Sequence, residues 1–160
     1  MKRCLCIAML LLFLLCGCNK EDKVIFYYCP VDYLSTQNGS VLSPETRSIT
    51  GYRDNLHFLI SLYLTGPLDQ DLKSPFPKGT KLQSLIQNDN QLTIQLYNLP
   101  QNLSDVEFSL ACACLTMTCM EFSNVESVTI LCGNRSVTMD ETTLTLSDTP
   151  VPTQINGGSQ

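Results

Sequence analysis

The N-terminus constrains this chain more than any other part of its sequence. Lys2 and Arg3 precede an unbroken apolar run from residue 4 to residue 15, which is the outline of an export signal. The run is too short to cross a membrane, because a transmembrane helix needs about 18 or more apolar residues. We therefore expect residues 1–17 to be a signal peptide that directs export and is then removed.

The residues that end this run indicate a lipid anchor. Leu15-Cys16-Gly17-Cys18 resembles the bacterial lipobox, in which an aliphatic residue and two small residues precede the cysteine that receives diacylglycerol. Cys18 would be the first residue of the mature chain, and two acyl chains give stable membrane attachment. We expect anchoring to the extracytoplasmic face of the cell membrane. An ordinary secretory signal and an uncleaved anchor are the alternatives.

The part of the chain that follows the signal sets the size of the fold. Residues 18–160 are enough for one domain with a substantial core and too few for two. We expect a polar tether over residues 18–23, a single domain over residues 24–146 and a disordered tail over residues 147–160, where large apolar side chains are lost. The net charge of the sequence is −5. Since an acidic protein repels phosphate backbones, a nucleic-acid partner is not expected.

Five cysteines would remain after cleavage and lipidation: Cys29, Cys112, Cys114, Cys119 and Cys132. An odd number outside the cell cannot pair completely. Cys112 and Cys119 lie two helical turns apart in a predicted helix, which exceeds the ~7 Å limit between the Cα atoms of a disulfide. Cys-x-Cys within a helix also splays its thiolates, which disfavours zinc. The sequence favours buried free thiols, with one disulfide from Cys29 to another cysteine, or a metal site, as the alternatives.

Hydrophobic periodicity predicts an α+β fold with the order β-β-α-β-β-α-β-β. The predicted strands cover residues 24–28, 41–50, 81–87, 91–98, 125–132 and 136–146, and the predicted helices cover residues 54–64 and 105–122. Pro44 places the second strand at an edge, and Ser104 is suited to cap the second helix. Helices separated by hairpins favour a mixed, largely antiparallel sheet with both helices packed on one face.

Each predicted helix carries an apolar stripe that should face the core. In the first helix the stripe is Leu56, Leu59, Ile60 and Tyr63, and Gly66-Pro67 ends the helix. The second helix has a longer stripe at helical spacing, formed by Phe108, Cys112, Leu115, Cys119 and Phe122. Stripes of this kind are typical of helices that pack on a sheet.

Four segments of the chain carry a resemblance to a known family. They are residues 42–47 (LSPETR), 64–67 (LTGP), 72–82 (LKSPFPKGTKL) and 125–133 (VESVTILCG). Together they look like successive parts of the GerMN domain, which is found in sporulation and germination lipoproteins of the GerM type and in other bacterial envelope lipoproteins. The likeness covers roughly residues 24–139. The Gly-Pro stop and the Ser-Pro-x-Pro-x-Gly-Thr loop are its most specific parts, and their prolines and glycines suit tight turns.

This resemblance implies a compact domain, similar to the ring-building motifs of secretion assemblies, that packs against other envelope proteins. It implies no catalytic residues and no cofactor. GerM-type proteins carry two such domains, whereas we expect one here. The predicted function is that of a membrane-anchored, non-catalytic assembly module of the cell envelope, with sporulation or germination as its setting. The free edge around Pro44, or the outer helix face, is the expected contact surface.

Two other functions are weaker alternatives. A hydrolase would need a base beside a nucleophile, but His57 is the only histidine, and Asp54, Asp69 and Asp71 lie where acids commonly cap and solvate. The sequence also lacks the common catalytic and phosphate-binding motifs. The second alternative is a lipoprotein that binds the cell wall or a small ligand. For it, Tyr27, Tyr28 and Tyr33 could form a stacking patch, although core packing explains these tyrosines equally well.

Overall fold

The computed structural model describes residues 22–32, 41–99 and 103–143. The predicted signal peptide, Cys18, most of the tether, the end of the predicted domain at residues 144–146 and the predicted tail lie outside the described residues. Within these ranges, neither helix has the length and apolarity that a membrane crossing needs.

The elements follow the predicted order, with one short strand added. They are β1 (Asp22–Pro30), β2 (Ser43–Ile49), α1 (Leu56–Tyr63), β3 (Leu72–Lys73), β4 (Lys81–Asn88), β5 (Gln91–Tyr97), α2 (Asp105–Phe122), β6 (Ser127–Cys132) and β7 (Arg135–Asp140). The α+β class is confirmed. The structure adds β3, and β1 begins two residues inside the segment that was predicted to be tether. The strands also form two hydrogen-bonded sheets, where the sequence suggested one.

The N-terminal sheet has the strand order β2-β1-β3, and both of its pairings are antiparallel. The central strand β1 pairs with β2 from Asp22↔Ile49 to Tyr28↔Ser43. Pro44 lies in an edge strand, as its missing N–H group led us to expect. On the other side of β1, β3 pairs only at the end of the strand. Before this short pairing, the backbone N–H of Tyr27 in β1 donates to Oγ1 of Thr118 in α2, at 2.9 Å.

The C-terminal sheet has the order β4-β5-β6-β7, in which only the β5–β6 pair is parallel. Parallel neighbours need a long crossover connection, and α2 provides it. The predicted hairpin between β4 and β5 is confirmed, with Asp89 at its turn in the left-handed region at φ 50°. The sheet is therefore mixed but largely antiparallel, as predicted.

Helix α2 begins where the sequence indicates and is buried more extensively than the predicted stripe requires. Ser104 accepts a hydrogen bond from the backbone N–H of Glu107, and the Glu107 side chain accepts one from the backbone N–H of Ser104. This is a capping box. All residues from 111 to 116 are buried, because α2 contacts β1 of one sheet and also β6 and β7 of the other. A helix covered on more than one side does not need a single apolar stripe.

Candidate functional site

Strand β2 places two charged side chains on its buried face. Glu45 and Arg47 are only 8% and 6% exposed, and they alternate with the exposed residues Pro44, Thr46 and Ser48. Burying a charge is costly unless it is paired and hydrogen-bonded. These two side chains therefore need charged or hydrogen-bonding partners within the fold.

Glu45 and Arg47 form an ion pair that also hydrogen-bonds to the backbone of the loop following α1. Arg47 Nε donates to Glu45 Oε1, and Arg47 Nη2 donates to the carbonyl oxygen of Gly66 at 2.6 Å. Glu45 Oε2 accepts from the backbone N–H groups of Leu68 and Asp69, at 2.8 Å each. We call Glu45 and Arg47 the loop clamp. They hold the backbone of residues 66–69 through three charge-assisted hydrogen bonds, which are stronger than neutral ones.

An aromatic cluster supports the loop clamp from the core side. The Arg47 guanidinium lies 5.0 Å from the ring centroid of Phe26, and its Nη2 also donates to the Tyr28 hydroxyl at 3.1 Å. That hydroxyl donates in turn to the carbonyl oxygen of Tyr63 at 3.0 Å, and the two tyrosine rings stack at 4.9 Å. Burial raises the pKa of Tyr28 far above its usual range, so the hydroxyl keeps the proton that it donates.

The clamped loop forms one wall of a cleft of about 860 Å³, which we call the loop cleft. Its apolar lining includes Pro67, Leu68, Phe76 and Leu82, and its charged lining is mostly basic. The lysines that line it are Lys73, Lys78 and Lys81. Leu68 lies in the lining of the cleft, and 78% of its surface is exposed. Two of the segments that carry the family resemblance, residues 64–67 and 72–82, therefore meet at one surface. Residues 45 and 47, from a third such segment, hold the loop of this surface in place.

Two glycines allow the chain to turn around the loop cleft. Gly66 and Gly79 both have φ near 96°, a conformation that residues with a Cβ rarely adopt. At Gly79 a Cβ would also come within 3.2 Å of Nδ2 of Asn98, which donates to the Gly79 carbonyl oxygen. The Gly-Pro stop and the Lys-Gly-Thr turn thus have the structural roles that their residue types predicted.

A second cleft, of about 710 Å³, lies at the carboxyl ends of the parallel strands β5 and β6. We call it the amide cleft, because the polar residues that line it are Gln83, Gln95, Tyr97, Asn98, Asn134 and Arg135. Arg135 is held by a hydrogen bond to the carbonyl oxygen of Leu103 and an ion pair with Asp105, and it lies over the ring of Phe108. Its position is therefore fixed from the α2 side.

The residues considered for catalysis, three aspartates and one histidine, lie at the surface. Asp54, Asp69, Asp71 and His57 are all exposed. The Asp69 carboxylate accepts the backbone N–H of Asp71 at 2.9 Å, which is an ordinary turn interaction. The structure thus gives Asp69 and Asp71 a local structural role.

Of the tyrosines considered for ligand stacking, Tyr27 and Tyr28 do not share a surface. Tyr28 is buried in the core, whereas the neighbouring Tyr27 points to the other side of the strand and its hydroxyl donates to Glu121 at 3.0 Å. Tyr33 lies outside the described residues. For Tyr28, core packing is the correct interpretation.

The five cysteines of the expected mature domain are all buried and free: Cys29, Cys112, Cys114, Cys119 and Cys132. Their predicted burial is confirmed. Burial raises the pKa of Cys112 to about 12 and raises that of Cys119 still further above the usual thiol value, so both behave as small hydrophobic side chains. Within the part of the chain that the structure describes, no cluster of three His, Cys, Asp or Glu side chains is placed to hold a metal ion.

Sequence reasoning missed the loop clamp. It treated residues 41–50 as an edge segment interrupted by Pro44 and assigned no role to the charges that follow. The signal was present, because Glu45, Arg47 and Ile49 share one face of a strand with period two. A buried ion pair interrupts the apolar pattern by which a core face is normally found.

Comparison with known proteins assigns the family. The family model described as Germane, sporulation and spore germination, matches residues 27–138. The chain belongs to this family. The match extends from β1 into β7, and it includes both halves of the loop cleft and the loop clamp. No curated protein sequence matches the chain.

A solved structure of tandem GerMN domains shows the same fold. The tandem GerMN domains of the sporulation protein GerM from Bacillus subtilis align with 72% of this chain at 18% identity and a TM-score of 0.54. This chain covers 40% of that protein. A Clostridium perfringens protein described as a candidate lipoprotein aligns at 19% identity with a TM-score of 0.48, over 76% of this chain and 89% of its own. The first GerMN domain of GerM aligns at 15% identity with a TM-score of 0.47, over 71% of this chain and 86% of its own. Together with the family match, the tandem structure shows that this Germane protein carries a GerMN domain.

Proposed function

We propose that this Germane protein is a membrane-anchored extracytoplasmic lipoprotein whose GerMN domain is a non-catalytic assembly module of the cell envelope in sporulation or germination. The observation that carries the proposal is the loop clamp. A buried ion pair fixes the backbone of residues 66–69 beside a cleft with an apolar and basic lining. A rigid surface of this kind suits recognition, because little conformational entropy is lost when a partner binds.

The loop cleft fits a protein segment that combines an apolar side chain with carboxylates. Leu68 and the half-buried Leu82 offer apolar surface, and burying one leucine side chain is worth roughly 1.5–3 kcal/mol. The lysines at positions 73, 78 and 81 would attract acidic residues on either side of the apolar anchor and speed its association. The edge of β2 around Pro44 lies on the strand that carries the loop clamp, and we include it as a secondary contact surface.

The lipid on Cys18 would keep the N-terminal end of β1 close to the membrane. Strand β1 begins at Asp22, and a link from residue 18 to residue 22 spans at most about 14 Å even when fully extended. The envelope partners in reach are therefore those at the membrane surface. Mass spectrometry of the N-terminus should find a diacylglyceryl group on Cys18 of the wild type, and Cys18→Ala should carry no lipid and keep its signal peptide. A mature wild-type N-terminus that carries no lipid on Cys18 would contradict the lipid anchor.

A matched pair of substitutions tests the loop cleft. Leu68→Glu adds a negative charge at the cleft, and Val106→Glu adds the same charge at a residue outside the cleft lining that is equally exposed, at 79%. Each tagged chain is purified from gently solubilised membranes and the retained proteins are identified by mass spectrometry. We expect Leu68→Glu to lose envelope proteins that the wild type and Val106→Glu both retain.

If all three chains retain the same proteins, the loop cleft is not the assembly surface. If both variants lose them equally, the effect comes from added charge and the cleft proposal also fails. Circular dichroism of each purified chain shows whether the fold is intact.

The amide cleft favours a second candidate, binding of a cell-wall saccharide. Amide and tyrosine side chains can hydrogen-bond sugar hydroxyl groups, and this cleft gathers four amide side chains with one tyrosine and one arginine. Titration with soluble wall fragments distinguishes this candidate from protein assembly. Saccharide binding that is lost in Asn134→Ala and kept in Leu68→Glu would support it, and no binding by the wild type would exclude it.

A further inference from the structure

Two of the buried cysteines touch each other across the core. Cys29 lies in β1 and Cys114 lies in α2, and both are almost completely inaccessible to solvent. Their Sγ atoms are 3.8 Å apart. A disulfide has an S–S distance of about 2.05 Å, so a movement of less than about 2 Å would bring the two sulfur atoms to bonding distance. The two residues are 85 positions apart in the sequence.

The surroundings of the pair distinguish its two thiols. The contact with Cys114 lowers the pKa of Cys29, and the positive charge of Lys73 contributes in the same direction. Lys73 faces Cys29 directly in the β1–β3 register. The contact with Cys29 and burial both raise the pKa of Cys114. Because the thiolate is the nucleophile in disulfide exchange and burial keeps Cys114 protonated in the packed domain, the exchange takes place before packing is complete.

We propose that Cys29 and Cys114, which are free thiols in contact in this structure, form a disulfide that links β1 to α2 when the chain folds under oxidising conditions. One of the two cysteine thiolates attacks the disulfide of an oxidoreductase or of a small disulfide such as oxidised glutathione, and one reagent thiolate leaves. The other cysteine thiolate then attacks the mixed disulfide and displaces the second reagent thiolate. The two cysteines lose two electrons and two protons, and the reagent disulfide is reduced to two thiols.

The bond forms while the chain folds, because both sulfur atoms are shielded from reagents in the packed domain. It accounts for the odd number of cysteines as one pair and three buried thiols that pack as hydrophobic groups. The supply of an oxidant in the cell depends on the extracytoplasmic location given under the proposed function. The contact between the two thiols does not depend on it, so the test below uses purified protein.

The chain offers a direct peptide test. Trypsin places Cys29 alone in the peptide of residues 24–47, and places the other four cysteines in the peptide of residues 82–135. Full-length protein is purified from membranes in detergent, reduced, unfolded and refolded in a mixture of oxidised and reduced glutathione. Free thiols are then alkylated, and the peptides are analysed with and without reduction. We expect these two peptides to be linked in the wild type and in Cys112→Ala, and to be unlinked in Cys114→Ala.

Thermal unfolding of the same samples gives a second readout. A bond that closes a loop of this length should raise the Tm of the oxidised wild type by roughly 10 °C or more above that of the reduced wild type. Cys29→Ala cannot form the bond and changes no other side chain of the core. Oxidised and reduced samples of this variant should therefore unfold at the same temperature. An alkylated, unlinked Cys29 in oxidised wild type, or a link that persists in Cys114→Ala, would overturn the proposal. Neither result bears on the lipid anchor or on the loop cleft.

Discussion

The two sheets of this domain are stabilised in different ways. The C-terminal sheet buries an apolar face, formed by Leu92, Ile94, Leu96, Val128 and Ile130. The N-terminal sheet buries Phe26 and Tyr28 together with the charged residues Glu45 and Arg47. Apolar burial is non-directional, whereas the loop clamp specifies which backbone atoms it binds. The N-terminal sheet therefore determines the position of a particular loop as well as contributing to the core.

A buried ion pair is weak evidence for stability, because desolvation offsets much of the Coulombic attraction. The comparison predicts that changes in the buried face of the N-terminal sheet will affect the loop cleft, while changes in the buried apolar face of the C-terminal sheet will affect only global stability. The following substitutions test that difference.

The largest effect is expected for Arg47→Ala. It leaves the Glu45 carboxylate buried without its partner, which should lower the free energy of unfolding by about 3–5 kcal/mol. Urea unfolding followed by circular dichroism measures this, with the exposed Arg53→Ala as the control. Arg53→Ala should change stability by less than about 0.5 kcal/mol. Equal effects at the two positions would mean that the ion pair has no special role.

A smaller effect is expected for Tyr28→Phe. The change removes one hydrogen bond to the Tyr63 carbonyl oxygen and one from Arg47, so it should cost about 1–3 kcal/mol. Tyr63→Phe is the matched control, because the buried Tyr63 hydroxyl has no hydrogen-bond partner. Its removal should be neutral or slightly stabilising. A greater loss for Tyr63→Phe than for Tyr28→Phe in thermal unfolding would contradict this account of the network.

In the C-terminal sheet, Ile130→Val should lower the free energy of unfolding by about 1 kcal/mol, because one buried methylene is lost. This change should leave the loop clamp intact. The hydrogen-exchange rates of the Leu68 and Asp69 amides should therefore change by no more than the loss of global stability accounts for. Selective exposure of these two amides in Ile130→Val would show that the sheets are not independent.

The smallest change in global stability is expected for the double substitution Glu45→Leu with Arg47→Met. Apolar replacement of a buried ion pair is often neutral or stabilising, so the unfolding midpoint should stay close to that of the wild type. The amides of Leu68 and Asp69 lose their carboxylate acceptor, and their hydrogen exchange should become at least about tenfold faster. Unchanged exchange at these two amides would mean that the loop is held by other contacts.

The sequence predicted the C-terminal half of the fold well, because its residues follow simple periods. Leu92, Ile94 and Leu96 alternate with polar residues and are all buried. Ser104 caps α2 at the expected residue. These features depend on local patterns, which a single sequence contains in full.

The division into two sheets and the loop clamp depend on contacts between distant residues. The two-residue strand β3 is too short to show any period. Arg47 and Gly66 are 19 positions apart, and Cys29 and Cys114 are separated by 85. No local pattern specifies which of several charges or thiols will meet. The family resemblance located the segments that form the loop cleft, and the structure shows why these segments belong together.

The central position of β1 has a mechanical consequence if the chain is anchored at Cys18. A pull from the membrane would act on the N-terminal end of β1, along the direction of the strand. Because β1 pairs with β2 over seven residues, such a pull would load these backbone hydrogen bonds together in shear and would not open them one after another. A domain attached in this way would resist tension at its anchored end better than one attached through an edge hairpin.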